Sequence, residues 1–377
     1  MKIKAVDVFV LGFPMKAVFV LAGGVAGRPG TPTERVIVRL ATDQGAVGWG
    51  EATPTPRWTY ETTETIVATL KRHVVPAILG LDAWDLDAVH RAMQRAIAPG
   101  VTMGSPLAKS AIDVALHDAL ARSYGIPLYQ LLGRRKRSEF DLTWMVTCER
   151  PEHADRLAHD GLEAGYTCFE GKIGMHGEAG DIDLVRRVRK AIGGNAMQVD
   201  ANRGYRVDAA IRQARRFEEF GVTLFEQPLD GFNLSGFRRL VAASPVPIGI
   251  DETLRSLPDL LEYIRADALT VAVAKVQRNG GLWYSRQLCE MADAAGLGLS
   301  LSGLTETDLG LAAGMHLAAA FDISPLQLNG PQYIETTFLK ERVWRGGGRV
   351  KLPEGPGLGV EVDEAYVRKH AVKVSLD

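Results

Sequence analysis

The sequence predicts an α/β protein in which a (β/α) barrel of the TIM type follows an α+β capping unit. From residue 140 onward, short apolar runs alternate with amphipathic stretches, a pattern typical of parallel strands that alternate with helices. Charged residues stand at one end only of these runs, as they do at the mouth of a barrel. The first third of the chain differs, because alternating apolar residues come first and helical periodicity follows.

The N-terminal unit begins with a small antiparallel sheet. Alternating apolar residues at 2–6 and 35–40 predict two strands, and the turn-forming Asp-Gln-Gly at 43–45 leads into a third strand at 47–50. Between the first two strands, the glycine-rich segment 22–30 predicts a flexible loop.

Three helices are predicted after this sheet, over about residues 60–80, 85–97 and 105–124. For the last of them, the Ser-Pro pair at 105–106 predicts an N-cap and a proline in the first turn, and Gly125 predicts its end. Sheet and helices together make the first third of the chain an α+β unit.

The rest of the chain carries eight strand-like runs, at residues 142–146, 168–173, 196–200, 222–226, 246–251, 269–276, 297–302 and 323–328. Amphipathic stretches such as 181–192 and 209–220 lie between them. Eight strands that alternate with helices close most simply into a (β/α) barrel. We place the cap at residues 1–125 and the barrel at 126–352, and we expect the polar, strand-like segment 353–377 to fold back onto the cap.

Composition excludes several classes of partner. The 377 residues include 44 Lys and Arg and 45 Asp and Glu, for a net charge of −1, which gives no general attraction to nucleic acid or anionic membranes. The cysteines Cys148, Cys168 and Cys289 show no paired spacing, which favours a reducing compartment. Because no signal-type segment and no apolar run of about 18 residues is present, we expect a cytoplasmic protein without a membrane partner.

Five charged residues close successive predicted strands: Lys172, Asp200, Glu226, Asp251 and Lys275. They are 28, 26, 25 and 24 residues apart, about one βα unit each, so we expect them at one height at the C-terminal mouth of the barrel. Three inward-facing carboxylates repel one another unless a cation neutralises them. Oxygen ligands around a centre with open positions suit Mg²⁺, with Mn²⁺ as an alternative.

The motifs around these residues resemble the enolase superfamily, and most closely its muconate-lactonizing subgroup in the mandelate racemase/muconate lactonizing enzyme family. The matching stretches are VDANRGY at 199–205, FEQPL at 225–229, GIDE at 249–252, KVQRNGG at 275–281, GWGEATP at 48–54, AIDVALHDALARSYGIPLYQLLG at 111–133, NGPQYIE at 329–335 and LPEGPGLGVEVDE at 352–364. The resemblance implies a capping domain over a modified TIM barrel. It also implies Mg²⁺ held by Asp200, Glu226 and Asp251, with Lys172 and Lys275 as acid/base residues.

Further site residues follow from the same resemblance. Two loops are expected to cover the site and set specificity, and they carry Arg28, Arg57, Trp58 and Tyr60. Glu306 matches a glutamate after the seventh strand and is expected to hydrogen-bond Lys275 or a substrate, whereas Asp308 is expected in a solvated loop. Residues next to the metal ligands are expected to hold them in place; they are Asn202, Gln227 and Glu252.

The chemistry that suits these residues is removal of a proton next to a carboxylate. Such a proton is a very weak acid, and a divalent cation bound to the carboxylate stabilises the enediolate left by its removal. A lysine acts as the base only if its pKa falls well below about 10.4. Metal charge, burial and a second lysine all lower that pKa.

One position departs from the subgroup, which usually has Lys-x-Lys on the second strand where this chain has Glu170-Gly171-Lys172. Residues two apart on a strand face the same side, so Glu170 is expected to keep Lys172 protonated. Lys172 is then a general acid or an electrostatic stabiliser, and Lys275 is the base. The alternative is that Glu170 turns outward into a salt bridge with an outer helix.

Three functions remain open from the sequence. The first is an isomerase acting on a small carboxylic acid, either a racemase/epimerase or a muconate-type cycloisomerase. The second is a dehydratase that eliminates water from a hydroxy acid with Lys275 as base, and the third is a barrel that binds an acidic small molecule without turnover. No histidine stands at a strand end, which argues against the mandelate racemase subgroup. The resemblance implies a homo-oligomer, and we expect no nucleic-acid partner.

Overall fold

The cap contains the predicted three-stranded antiparallel sheet. The computed structural model describes residues 1–100 and 102–374, and its first five strands are β1 (Ile3–Pro14), β2 (Phe19–Leu21), β3 (Gly24–Gly27), β4 (Pro32–Thr42) and β5 (Val47–Ala52). Strands β1, β4 and β5 form the sheet in that order. The expectation of a flexible loop at 22–30 is wrong in part, because β2 and β3 pair as a hairpin.

Six helical segments cover this sheet and lead into the barrel: α1 (Thr63–Thr69), a π-helical segment (Leu70–Val74), α2 (Val75–Ile78), α3 (Leu86–Ala96), α4 (Pro106–Ser123) and α5 (Tyr129–Leu132). The predicted start of α4 is confirmed in position, with Ser105 at the N-cap and Pro106 in the first turn, but Ser105 has φ 50° and its side chain makes no capping hydrogen bond. Instead, the Glu61 carboxylate accepts hydrogen bonds from the backbone N–H groups of Leu107 at 2.8 Å and Ala108 at 3.3 Å.

Helix α4 lies directly on strand β5, where two glycines allow the close approach. A Cβ on Gly48 would lie 2.0 Å from the carbonyl oxygen of Ala115, and one on Gly50 would lie 2.0 Å from that of Ala111. No side chain fits at these distances, so the GWGE stretch places α4 between the cap sheet and the barrel. Almost every residue of α4 is buried as a result.

The barrel has the predicted eight parallel strands in one sheet. After β6 (Glu139–Asp141) come β7 (Thr143–Val146), β8 (Cys168–Lys172), β9 (Ala196–Asp200), β10 (Phe225–Glu226), β11 (Ile248–Ile250), β12 (Val271–Ala274), β13 (Gly298–Ser302) and β14 (Leu326–Gln327). A parallel bridge between Leu142 and Leu326 joins the first and last strands of this sheet. Strand β15 (Arg349–Lys351) pairs with β6 outside it.

Helices connect the barrel strands on the outside. They are a 3₁₀ turn (Pro151–His153), α6 (Ala154–Glu163), α7 (Gly177–Ile192), α8 (Val207–Glu219), α9 (Leu234–Ala243), α10 (Leu257–Arg265), α11 (Leu282–Ala294), α12 (Asp308–Phe321) and α13 (Gly330–Tyr333). Several strands are shorter than predicted because flanking residues complete helix ends. The N–H of Val222 donates to Phe217 at 3.1 Å and that of Ile323 to Ala318 at 3.2 Å.

The C-terminal segment returns to the cap as a helix, α14 (Glu364–His370), so the strand-like expectation for it is wrong. The N–H of Val372 donates to the carbonyl of Val10 at 2.8 Å, and Arg39 on β4 contacts Glu364 at 3.1 Å. Residues 375–377 lie outside the described residues, and the domain boundary at 125/126 stays a prediction. Within residues 1–100 and 102–374, no helix is long and apolar enough to cross a membrane.

Candidate active site

The five charged residues predicted to share one height come together at the C-terminal ends of the barrel strands. Lys172 on β8 is in register with Asp200 on β9, and Asp200 is in register with Glu226 on β10. Asp251 and Lys275 follow β11 and β12 directly. Each of the five is at most 2 % exposed, so their charges meet in a space from which water is largely excluded.

Ion pairs link the lysines to two of the carboxylates. Lys275 Nζ lies 2.6 Å from Asp251 Oδ2, and Lys172 Nζ contacts Asp200 Oδ2. Arg278, which the sequence reasoning did not single out, contacts the other oxygen of Asp251. Buried charges are tolerated when they are paired in this way.

Glu170 faces the same side as Lys172, as predicted. Its Oε1 lies 2.6 Å from Lys172 Nζ, and its Oε2 accepts a hydrogen bond from Gln198 Nε2 at 2.8 Å. The alternative of an outward salt bridge is therefore wrong. Burial alone would lower the pKa of Lys172, but the charges of Asp200, Glu170 and Glu226 outweigh it and raise this pKa well above its ordinary value.

Glu226 has one carboxylate oxygen that is free to bind a cation. Its Oε2 accepts from Gln327 Nε2 at 3.0 Å, whereas its buried Oε1 has no hydrogen-bond partner among the described residues. Burial, together with the charges of Asp200 and Asp251, raises the pKa of Glu226 well above its ordinary value. A divalent cation would relieve this repulsion, so the donor set fits Mg²⁺.

The carboxylates do not yet converge as a ligand set. Within residues 1–100 and 102–374, no three Asp, Glu, His or Cys side chains are grouped closely enough to hold a metal ion. Lys172 contacts Asp200, and Lys275 and Arg278 contact Asp251, so oxygens of two of the three carboxylates face cationic side chains.

Residues next to the carboxylates hold them through hydrogen bonds. Asn202 donates its backbone N–H to Asp200 Oδ1 at 2.8 Å, and its Nδ2 donates to Asp200 Oδ2 at 2.9 Å and to Glu252 Oε1 at 3.0 Å. Gln227 touches no carboxylate of the set; its Oε1 accepts from the backbone N–H of Asp251 at 2.8 Å and thereby fixes the main chain. The sequence reasoning also did not single out Gln327. This residue ends the eighth barrel strand, and its place at a strand end could have identified it as a site residue.

Glu306 is buried but does not make the expected hydrogen bond to Lys275. Its Oε2 has no partner among the described residues, and burial raises its pKa to about 7. It lies in a small cavity that Glu51 and Gln277 also line. The expectation for Asp308 is wrong, because this residue is 5 % exposed and accepts hydrogen bonds from the backbone of residues 343 and 344 at 3.0 and 3.1 Å.

Trp58 covers the two lysines. The centre of its ring lies 4.2 Å from Lys275 Nζ, 6.0 Å from Lys172 Nζ and 5.8 Å from the guanidinium carbon of Arg278. Phe19 of the β2–β3 hairpin supports the indole, with ring centres 5.7 Å apart. An aromatic face over cations is a favourable contact, so the loop after β5 closes the barrel mouth with this residue.

The other three residues of the predicted covering loops lie further out. Arg28 forms a salt bridge of 3.0 Å with Glu149, and both side chains are 54 % exposed. Tyr60 is 53 % exposed, and Arg57 is exposed beside the turn of the β2–β3 hairpin. Of the four covering residues, Trp58 is the one whose contact with the lysines the structure records.

Comparisons with known proteins identify the family of this chain. Residues 28–133 match the model of the mandelate racemase/muconate lactonizing enzyme N-terminal domain, and residues 153–366 match the enolase C-terminal domain-like model. Muconate cycloisomerase 1 of Rhodococcus opacus is 34 % identical over 340 residues, which cover 88 % of this chain and 90 % of that protein.

Solved structures of similar proteins have the same fold. The N-succinyl Arg/Lys racemase of Bacillus cereus matches with a TM-score of 0.91 and 27 % identity, over 99 % of both chains. A dipeptide epimerase of Enterococcus faecalis, complexed with Mg and the dipeptide L-Leu-L-Tyr, matches with a TM-score of 0.89 and 26 % identity, over 96 % of this chain and 100 % of that one.

Proposed function

This chain belongs to the mandelate racemase/muconate lactonizing enzyme family of the enolase superfamily, and from that premise we propose that it isomerises a small carboxylic acid by removing the proton next to the carboxylate. The observation that carries the proposal is the placement of Lys172 and Lys275. Lys172 ends β8 and Lys275 follows β12, so the two lysines lie on either side of the strands that carry the three carboxylates, and a substrate bound between them would meet a lysine on each face. Similar proteins include a muconate cycloisomerase, an L-Ala-D/L-Glu epimerase and an N-succinyl-L-Arg/Lys racemase, which supports an isomerase.

Asp200, Glu226 and Asp251 are the residues that would hold a metal ion, Mg²⁺ or Mn²⁺. When bound, the metal would supply a positive charge at the substrate carboxylate, which stabilises the enediolate. The buried Oε1 of Glu226, which has no hydrogen-bond partner in the described part of the chain, supports this assignment. Asn202 and Gln327 keep the carboxylates of Asp200 and Glu226 oriented through their hydrogen bonds, as such outer partners do in metal sites.

The lysines differ in their surroundings, and this difference divides the work between them. Lys172 is held by two carboxylates, Glu170 and Asp200, and therefore stays an ammonium that donates a proton or stabilises negative charge. Lys275 has one carboxylate partner, Asp251, and lies under the indole of Trp58. We assign Lys275 as the base, with Trp58 excluding water from the carbon that loses its proton.

A dehydratase is the second candidate, and the contact between Glu170 and Lys172 favours it. An elimination needs a base on one face only, and a Lys172 held as an ammonium is suited to protonate a leaving hydroxyl. The base would again be Lys275. The two functions differ in product, because an isomerase returns an acid of the same mass and a dehydratase releases water.

The test is exchange of the α-proton for deuterium in D₂O with Mg²⁺ present. The acids are L-Ala-L-Glu, N-succinyl-L-arginine and muconolactone, which similar proteins act on or bind, with a set of hydroxy acids added. We expect exchange with at least one acid, an isomerised product by NMR, and loss of both in Lys275→Ala. Loss of water from a hydroxy acid would instead establish the dehydratase. A wild-type protein that binds Mg²⁺ and exchanges none of them would contradict both functions.

A further inference from the structure

Asp113, a buried carboxylate in the cap, contacts the start of the barrel helix that follows Lys275 in the chain. Asp113 lies in the middle of α4 and is 0 % exposed. Its Oδ2 accepts hydrogen bonds from the backbone N–H of Leu282 at 2.5 Å and of Trp283 at 3.4 Å. Leu282 begins helix α11, so a cap residue satisfies the free N–H groups at the start of a barrel helix.

The other carboxylate oxygen of Asp113 faces two histidines. His90 on α3 donates from Nε2 to Oδ1 at 2.7 Å, whereas His117 Nδ1 bonds the main-chain carbonyl of Asp113 at 2.8 Å and lies 3.4 Å from Oδ1. Burial alone would raise the pKa of Asp113, but the charge of His117 and the hydrogen bonds from both histidines lower it well below its usual range. Asp113 is therefore an anion at the positive end of a helix, where a negative charge is stabilised.

A short, tightly bonded loop joins this anchored helix to Lys275. The N–H of Gly281 donates to the carbonyl of Val276 at 2.8 Å, and that of Asn279 donates to the carbonyl of Lys275 at 2.9 Å. The side chain of Asn279 closes the turn, since its Oδ1 accepts from the N–H of Lys275 at 2.7 Å and its Nδ2 donates to Leu254 at 2.7 Å. Only residues 276–281 separate Lys275 from the start of the helix at Leu282, and these hydrogen bonds tie them together.

The cap meets this loop at two further points. Ser110 on α4 donates to the carbonyl of Val276 at 3.3 Å, and Gln277 accepts from the N–H of Thr53 at 2.6 Å. Gly281 has φ 114°, and a Cβ on it would lie 2.3 Å from Asp113 Oδ2. The close approach of Asp113 therefore depends on a glycine at this position.

We propose that Asp113 is a positioning residue for Lys275: by anchoring the start of α11 it fixes the loop that holds Lys275 and Arg278 against Asp251. The inference rests on the proposed function, in which Lys275 is the base. Asp113 touches no reacting group and acts through the main chain of residues 276–283. The cap then has a part in the chemistry as well as in covering the site.

The variant that tests this is Asp113→Asn, which keeps the size of the side chain but presents an N–H₂ group to either His90 or the start of α11. The matched control is Asp118→Asn, since Asp118 is also fully buried on α4 but accepts from Trp49, Arg122 and Leu358. A misplacement of about 1 Å costs on the order of 100-fold in rate. We expect kcat for α-proton exchange to fall about 10- to 100-fold in Asp113→Asn, with KM within threefold of wild type.

A second variant and a second measurement cover the case in which Asp113→Asn folds poorly. Gly281→Ala should push the start of α11 away from Asp113 and reproduce the loss in kcat. Amide hydrogen exchange needs no substrate, and residues 275–283 should exchange at least tenfold faster in Asp113→Asn than in Asp118→Asn. Unchanged exchange in that segment, or equal losses of kcat in the two aspartate variants, would refute the positioning role. If wild type turns over none of the acids, the proposed function fails. The amide exchange would still show whether Asp113 anchors the start of α11.

Discussion

Replacement of Glu170 by glutamine removes one negative charge 2.6 Å from Lys172 Nζ. The glutamine side chain has nearly the same size as that of glutamate. The glutamine retains a carbonyl oxygen that can accept from Gln198, as Glu170 Oε2 does at 2.8 Å. An opposite charge within about 4–6 Å favours the charged form of a lysine and raises its pKa. Loss of the Glu170 charge should therefore lower the pKa of Lys172.

The sign of the effect on the rate follows directly. Lys172 accepts a proton only when its amine is neutral. Because its pKa is raised, the neutral amine forms only at high pH. Each unit by which the pKa falls increases the neutral fraction about tenfold at a fixed pH below it. In Glu170→Gln, the rising limb of α-proton exchange on the Lys172 face should therefore move to lower pH than in wild type.

The assay is deuterium incorporation from D₂O into each enantiomer of an accepted acid, measured between pH 6 and 10. Glu306→Gln is the control. It also removes the charge of a buried glutamate, but the lysine near Glu306 is Lys275 and not Lys172. Its Lys172-face profile should match that of wild type. If Glu170→Gln leaves that profile in place, or if wild type already exchanges both enantiomers equally at neutral pH, the reasoning about Glu170 is wrong.

Three further predictions concern other groups of the site. Glu226→Gln should reduce Mg²⁺ affinity by at least 100-fold in calorimetry while the fold survives, because the unpartnered oxygen loses its charge; unchanged affinity would remove Glu226 from the ligand set. Lys275→Ala should lower α-proton exchange by about 10²- to 10⁴-fold, and near wild-type exchange would show that another group is the base. Glu306 has its pKa raised to about 7, so the folded state keeps a proton that the unfolded chain loses, and stability falls as the pH rises from about 4.5 to 7. Glu306→Gln should therefore show a smaller drop in Tm over this range than wild type, and parallel Tm curves would contradict the buried acid.

The charged residues at the strand ends were predictable because the βα repeat itself places them. Each unit returns the chain to the same end of the barrel, so an interval of 24 to 28 residues predicts a common height. The side on which Glu170 lies was predictable for the same kind of reason, since residues alternate along a strand. In both cases a local period determines the position of the side chain.

Contacts between distant segments were not predictable in this way. The N–H groups at the start of α4 are taken by Glu61, 46 residues before Leu107, where the local pattern favoured Ser105. Arg278 and Gln327 reach the carboxylates from the loop after β12 and from the end of β14, and neither belongs to the repeating Lys and acid pattern. Helix α14 has only seven residues, and few of them are apolar. Its sequence therefore shows no helical periodicity of apolar residues.

Helix α4 belongs to both apolar cores of the molecule. Val114 and Ala121 pack into the core of the barrel, whereas Leu107, Ile112 and Leu116 pack into that of the cap. A helix shared by two cores couples their cooperativity, because neither core can melt without uncovering surface that the other needs. Cap and barrel are therefore expected to unfold as one unit, and a fragment cut after residue 125 would leave α4 with an unprotected, aggregation-prone face.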